Sequence, residues 1–487
     1  MNRDPAVLLQ TVQRFRFVAF FVLVIGAGAY LRFHDLGRSQ LWLDELVQLM
    51  RAHHASVWAC LLDIGNDIGS APLDYLIQRA FVSMWGVTPW TARFHAAVFG
   101  TLSIPMMYVT ARRLFSVRTS FISMVLFSVY PLHRYYSQEG RNYALFVLLT
   151  LVSWYLLLRL SEKTEAKVWV AAVVTNVLLL YTNDLGVVVL AGQSLFAMGA
   201  ALMKGAGQES SLSAKRYWKY VALSWAIPFA TFLPWILGTY RHSLSDFPNL
   251  FSDPYLIVRV FREISGGSYP LSLGFGLCLL LFLVSVRSRE DRVRAALIVT
   301  GGLLPIVVVL LLEWYREYFF AIRHILFATP FVLVAVAFGI SRIPSLFRNS
   351  STGQAFQASI LSLLVVLSLG TIGLHRDKNP ADWQRLADYL EHEVKITDIV
   401  VAPDIDRIIA YLCPDIGKRV RGRDALQQLR PAVPAEAGDG RVLIIKSIYM
   451  QAADEALVNR LIEAGSGEVA DKQALKGFQV IIGKTVR

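Results

Sequence analysis

The chain has 487 residues, 55% of them hydrophobic and 17% charged, with a formal net charge of +12 and a mean hydropathy of +0.47. Soluble domains carry about 25% charged residues, so the composition excludes an ordinary soluble fold and points to a polytopic membrane protein. In a soluble chain such a positive balance would invite a nucleic-acid reading. Here most basic residues of the apolar part lie in short loops, where they set topology and meet anionic lipid, so no nucleic-acid partner is expected.

Apolar stretches near the length needed to cross about 30 Å of hydrocarbon recur through the first three quarters of the chain. Eleven spans are predicted, at 15–33, 91–111, 120–133, 143–158, 168–181, 185–203, 217–237, 271–286, 295–312, 322–340 and 356–374. With the N-terminus in the cytoplasm, the inward loops hold Arg112, Arg113 and Arg118, then Arg159, Lys163 and Lys167. Further inward loops hold Lys204, Lys215, Arg216 and Lys219, then Arg287, Arg289, Arg292 and Arg294, and last Arg342 and Arg348. Every lysine before residue 376 falls on that side, as the positive-inside rule requires. An odd number of spans puts the C-terminal segment outside. No small-residue cleavage site follows the first apolar run, so it reads as an uncleaved span.

Two extramembrane regions are large. The loop at 34–90 alternates amphipathic stretches at 41–52 and 72–85 with a polar turn at 65–70, the spacing of helices lying on a membrane surface. The tail at 376–487 reads as a helix at 381–393, a strand at 398–402, a helix around Arg407, a strand at 441–446, a helix at 453–464 and a strand at 478–482. That order predicts an extracytoplasmic α/β domain, and it has no glycine-rich phosphate loop. Domain boundaries are expected at 1–375 for the membrane part and 376–487 for the tail. Cys60, Cys278 and Cys413 lack CxxC spacing and read as unpaired thiols, with a Cys60–Cys413 bridge as the alternative.

The run Ser39-Gln-Leu-Trp-Leu-Asp-Glu45 sets two adjacent carboxylates just beyond the first span. Ionised groups beside hydrocarbon are costly to keep, so the pair marks a functional site. With the later segments Ala71-Pro-Leu-Asp-Tyr-Leu76 and Tyr135-Tyr-Ser-Gln-Glu-Gly-Arg-Asn-Tyr-Ala144, this run resembles the GT-C glycosyltransferases. More narrowly it resembles the bacterial branch related to protein O-mannosyltransferases and lipid A aminoarabinose transferases, and the resemblance extends to Asp382-Trp-Gln-Arg385 at the head of the tail.

That resemblance implies a transferase moving a sugar from a polyprenyl-phosphate donor to a hydroxyl acceptor on the outer face of the inner membrane. Asp44 matches the family's catalytic aspartate and suits the work of a general base. Glu45, one residue on, points elsewhere and is assigned to orienting a neighbour or contacting acceptor. The alternative is that the pair only caps a surface helix. The departing phosphate gains charge and calls for a cation, best an arginine fork. In the predicted orientation the outer cations include Arg141, Arg241, Arg262, Arg316 and Arg323. Arg323 is assigned to donor phosphate, with His324 and Arg141 assisting, against the alternative of a snorkelling anchor.

Gln138, Glu139 and Tyr143 are expected to line the cavity, with Asp184 in the short turn Tyr181-Thr-Asn-Asp184 and Asp74 in the outer loop. Two departures from relatives, Asn183 and Ser70 where histidine is frequent, weaken a metal requirement. No cofactor is assigned, and a divalent metal and its ligands are left open. The readings from other classes are a transporter or lipid flippase, which the one-sided charge clustering disfavours, and a non-catalytic cell-envelope assembly partner, which the intact Asp44–Glu45 pair disfavours.

Overall fold

The computed structural model describes residues 5–65, 71–204, 211–239, 255–316, 321–371, 381–422, 441–448, 450, 455, 458–459 and 469–484. They fall into two compact units, residues 1–36 with 51–375 and residues 37–50 with 376–487. Most of the polar turn predicted at 65–70, Arg241 and most of the helix predicted at 453–464 lie outside the described residues.

The first unit is helical. The chain runs α1 (Pro5–Phe33), α2 (Leu43–Ala52, of which the first part belongs to the second unit), α3 (Val57–Gly65), α4 (Pro72–Trp85), α5 (Pro89–Ala111), α6 (Val117–Val129) and α7 (Pro131–Tyr136). It continues through α8 (Tyr143–Glu162), α9 (Ala166–Leu180), α10 (Gly186–Lys204), α11 (Ser211–Thr239), α12 (Leu256–Ile264), α13 (Tyr269–Ser285), α14 (Arg289–Ile298), α15 (Leu304–Arg316), α16 (Thr329–Arg342) and α17 (Ser350–Gly370). A π-helical turn, Val299–Leu303, joins α14 to α15, and a 3-10 helix, Ile322–Ala328, leads into α16.

The protein is a multi-pass membrane protein. Among the described residues seven helices are long and apolar enough to cross a bilayer, or eight if the bent pair α12–α13 counts as one span. Three shorter apolar helices, at 117–129, 166–180 and 186–202, occupy the remaining predicted positions. At 1.5 Å per residue, 13 residues rise about 20 Å, so length alone does not carry the count to eleven. Proline accounts for one of these stops. Pro131 ends α6 at Val129, since the residue before a proline is pushed out of the helical region, and α7 restarts with that proline in its first turn.

Where apolar helices cross, neutral polar groups join them. Ser153 Oγ donates to Asn176 Oδ1 at 2.5 Å and accepts from Gln193 Nε2 at 2.7 Å, while Asn176 Nδ2 donates to the Ser224 carbonyl at 2.8 Å. All four residues are buried. With no water in the bilayer core, such side chains must find partners on neighbouring helices, here α8, α9, α10 and α11.

The second unit has a five-stranded sheet in the order β2-β1-β3-β5-β4, with β1 at Ile399–Val401, β2 at Val420–Arg421, β3 at Arg441–Ser447, β4 at Val469–Leu475 and β5 at Phe478–Lys484. β1 pairs in parallel with β2 and β3, and β5 runs antiparallel to β3 and β4. Among the described residues of the tail, helices α18 (Trp383–Glu393), α19 (Asp406–Leu412) and α20 (Pro414–Gly417) accompany it. β1 is buried throughout, the pattern of a central parallel strand. β2 and β4 were not expected. Two residues are too few for a periodicity, and β4 reads Val-Ala-Asp-Lys-Gln-Ala-Leu, a polar edge strand.

Within this unit Asp398 is buried and grips Arg441. It accepts from the Arg441 backbone at 2.8 Å and from its guanidinium at 2.8 Å. Burial raises its pKa, but the bonds from Arg441 outweigh it and hold the carboxyl below its ordinary value. The three cysteines are free thiols and buried. Burial, helped by Glu391 and Asp388, pushes Cys413 up to about 11.

Candidate active site

The short connection from Ser137 to Asn142 is where polar side chains gather in the first unit. It is irregular backbone joining the short helix α7 to the apolar α8, so side chains must satisfy it. Gln138 Nε2 reaches the carbonyls at the end of α1, to Leu31 and Arg32 at 3.3 Å and His34 at 2.9 Å. Those are carbonyls that a helix end leaves without intrahelical partners.

The fastening is reciprocal. Arg32, in the last turn of α1 and fully buried, donates from Nη1 to the Gly28 and Ser128 carbonyls at 2.9 Å each and from Nη2 to the Phe127 carbonyl at 3.3 Å. Its Nη2 also lies 3.0 Å from His133 Nδ1. A guanidinium at the C-terminal carbonyls of α6 meets the negative end of that helix, which gives a buried cation a physical reason to remain. Sequence reading passed over Arg32 because an arginine closing an apolar run looks like a topology signal. Only its depth in the fold gives it this role.

From the other side Gln78, on α4, donates to the Ala92 carbonyl at 2.8 Å and to the Gly140 carbonyl at 3.4 Å. A Cβ at Gly140 would stand 2.7 Å from the Ala92 oxygen, so only glycine allows this approach of connection to α5. One turn before Gln78, Asp74 Oδ2 lies 3.2 Å from His95 Nε2, both residues fully buried. Asn142 Nδ2 donates to the Thr182 carbonyl at 2.6 Å, and the Leu73 N–H to the Tyr181 carbonyl at 2.9 Å. The connection, α4 and the turn at 181–184 therefore form one assembly.

The predicted residues distribute as follows. Gln138, Glu139, Arg141 and Tyr143 share the connection or its exit, with Glu139 and Tyr143 buried and Gln138 and Arg141 half-buried. Asp74 joins them through Gln78, on its own helix. Asp184 is exposed, and its Oδ1 accepts from the Leu185 N–H at 2.9 Å as the chain turns into α10. Arg323 and His324 are half-buried at the start of the 3-10 helix, whose later residues run into the core. Tyr136 links the sets. Its ring meets that of Tyr143 at 5.1 Å, and Glu139, Arg323, Tyr143 and Glu263 all act electrostatically on its phenol. Glu263 and Tyr136 carried no assignment from sequence, and neither did His95 or Gln78. Tyr136 stood inside the quoted 135–144 motif, the one signal that could have found it.

Asp44 and Glu45 lie in the second unit, in the first turn of α2. The Trp42 N–H donates to Glu45 Oε2 at 3.3 Å, the back-bond of a capping box, and Glu45 is fully buried while Asp44 is half-buried. In the same unit Gln40 Nε2 donates to Asp382 Oδ1 at 3.1 Å, and Asp382 caps α18 through the Arg385 N–H at 3.0 Å. Trp383 packs edge-on against Phe478. Among the described residues no group of three His, Cys, Asp or Glu side chains is arranged to hold a metal ion.

Residues 70–235 match a family model described as dolichyl-phosphate-mannose-protein mannosyltransferase. Among solved structures the chain is similar to ArnT from Cupriavidus metallidurans in the apo state, with a TM-score of 0.60 and 12% identity over 96% of this chain and 98% of that one. The same protein bound to undecaprenyl phosphate gives 0.59 and 14% over 95% and 98%. This chain shares the fold of ArnT over nearly its whole length. The Archaeoglobus fulgidus oligosaccharyltransferase, in a complex with Zn and sulfate, is a more distant bearer of that fold, with a TM-score of 0.53 and 10% identity over 90% of this chain and 69% of that one. No curated protein matches the sequence.

Proposed function

We propose that the protein transfers a sugar from a polyprenyl-phosphate carrier to a hydroxyl-bearing acceptor, which is a protein, a lipid or a polysaccharide. The observation that carries this reading is the GT-C fold extending over 96% of this chain and 98% of ArnT, together with the Asp44–Glu45 pair after the first span. Solved structures with this fold include one bound to undecaprenyl phosphate, which supports a lipid phosphate as donor.

The chemistry is a single displacement. The acceptor oxygen attacks the anomeric carbon, the bond from that carbon to the phosphate oxygen breaks, and polyprenyl phosphate leaves carrying one more negative charge. Asp44 takes the hydroxyl proton as general base. Glu45, buried and capping α2, holds the turn that presents Asp44. Arg323 stabilises the leaving phosphate, with His324 and Arg141 beside it in that task. The Tyr136 cluster supports this assignment, because Arg323 shares it with Glu139 and Tyr143. Gln138 holds the connection in shape through the end of α1, and Asp74 does so through its buried contact with His95. The loop cations support an N-terminus in the cytoplasm and the second unit on the outer, periplasmic face.

The test is mass spectrometry of lipids and acceptors after incubating the protein, in lipid discs, with polyprenyl-phosphate sugars and cell-envelope acceptors. Wild type should release free polyprenyl phosphate and yield a glycosylated acceptor. Asp44→Asn should be slower by about 10²–10⁴-fold with an unchanged melting temperature. Equal turnover by the two proteins removes Asp44 as base, and no donor consumption by folded wild type favours the transporter reading.

A further inference from the structure

Helix α12 is set at 87° to α13, and the sequence builds that elbow. Gly266 and Gly267 have φ of 106° and 83°, values that side-chain-bearing residues rarely adopt. A Cβ at Gly266 would also stand 2.9 Å from Leu271 and 3.0 Å from Pro131. The Tyr130 hydroxyl donates to the Ile264 carbonyl at 2.5 Å and fixes the last turn of α12. Along α13 the exposed side chains Leu273, Leu277, Leu280 and Val284 recur at helical spacing, the face of a helix that stands in hydrocarbon. A helix perpendicular to such a span runs in the plane of the bilayer surface.

Successive residues of an α-helix turn by about 100°, which divides α12 into three sectors. Leu256, Val260 and Ile264 fall together and are buried against the protein. Ile257 and Val258 fall outside that sector and are 79% and 59% exposed. Arg259, Arg262 and Glu263 share the remaining arc. Arg262 lies over the ring of Tyr269 at 5.6 Å and 3.7 Å from Glu263, and Tyr269 itself is 70% exposed at the start of α13. Two large exposed aliphatic side chains are costly in water, whereas apolar, aromatic and arginine side chains in this order suit the boundary between acyl chains and headgroups.

We propose that α12 is an interfacial helix that seats on the bilayer, with Ile257 and Val258 inserted at the acyl boundary and Arg259 and Arg262 engaging the phosphates of anionic phospholipids. The proposal is independent of the transferase reading. It requires only that α13 crosses the membrane.

The test places a fluorophore on Ile257→Cys or, as reference, on Glu263→Cys in the full chain, reconstituted in lipid discs. The native cysteines are buried, and unmodified protein checks that they do not label. At position 257, quenching by lipids carrying a nitroxide near the headgroup should exceed quenching by aqueous iodide several-fold and should exceed quenching by a nitroxide near the chain end. At position 263, iodide should dominate. Iodide quenching at 257 equal to that at 263 overturns insertion, and stronger quenching by the deep nitroxide makes α12 a continuation of the span. Association of spin-labelled phosphatidylglycerol should fall about fivefold per arginine in Arg259→Gln and Arg262→Gln and recover in the lysine variants. An unchanged preference for phosphatidylglycerol over phosphatidylcholine overturns the headgroup contact.

Discussion

The stretch from Phe127 to Tyr143 and the sheet of the second unit solve the same problem in opposite ways. In the first, backbone oxygens at the end of α6 and in the connection after α7 are answered by Arg32 from α1 and Gln78 from α4, while Gln138 and Asn142 of the connection answer carbonyls at the end of α1 and in the turn at 181–184. In the second, the ladders among five strands answer the backbone directly, and side chains such as Asp398 and Arg441 only tie its ends. A backbone ladder tolerates almost any side chain that fits. A side-chain-satisfied loop tolerates few, and it leaves ionisable groups fixed in one geometry at low dielectric.

Substitutions can pull this contrast apart. After Asp44→Asn, the largest effect is expected for Arg323→Gln, which should cut sugar transfer by about 10²–10³-fold while leaving the melting temperature near wild type, as read by donor consumption and thermal scanning. Stability loss together with activity loss would make Arg323 part of the scaffold. Arg32→Met should cost about 2–3 kcal/mol of stability, since the bonds from a buried charged group to the Gly28, Ser128 and Phe127 carbonyls are lost. Arg32→Lys should recover only part of that, because an ammonium lacks the fork that spans several carbonyls. Hydrogen exchange at 127–138 is the readout, and wild-type protection in Arg32→Met would refute the reciprocal fastening.

In the sheet, Asp398→Asn should cost about 1.5–3 kcal/mol and also change the pH dependence. The folded pKa of Asp398 lies below its ordinary value of about 3.9. Its contribution is therefore fully present above that value and lost as pH falls through the folded one. Wild type should lose stability over that acid range, and the variant should show a flatter limb in melts taken from pH 5 downward. The smallest effect is expected for Ser153→Ala within the spans, about 0.6 kcal/mol, and a loss several times larger would mean that the network with Asn176 and Gln193 acts cooperatively.

Much of this architecture is legible in the sequence. Apolar runs located the spans because a bilayer demands long uninterrupted stretches, and the predicted strands at 398–402, 441–446 and 478–482 correspond to β1, β3 and β5. Edge strand β4 escaped because its polar sequence matches neither a period of 2 nor a buried run. The motif at 135–144 was visible as a density of polar groups. What each member touches was not.

The sequence by itself determined the membrane class, the α/β character of the tail and the position of Asp44 after the first span. These follow from local composition and period, which the chain carries residue by residue. Tertiary structure alone decided that Arg32 is buried against the end of α6, that Asp74 meets His95, that the charge of Arg323 reaches the Tyr136 phenol, and that residues 37–50 group with the tail. Each of these joins segments tens to hundreds of residues apart. Whether a polar side chain snorkels, caps a helix or lines a site depends on which distant backbone or charge folding brings to it.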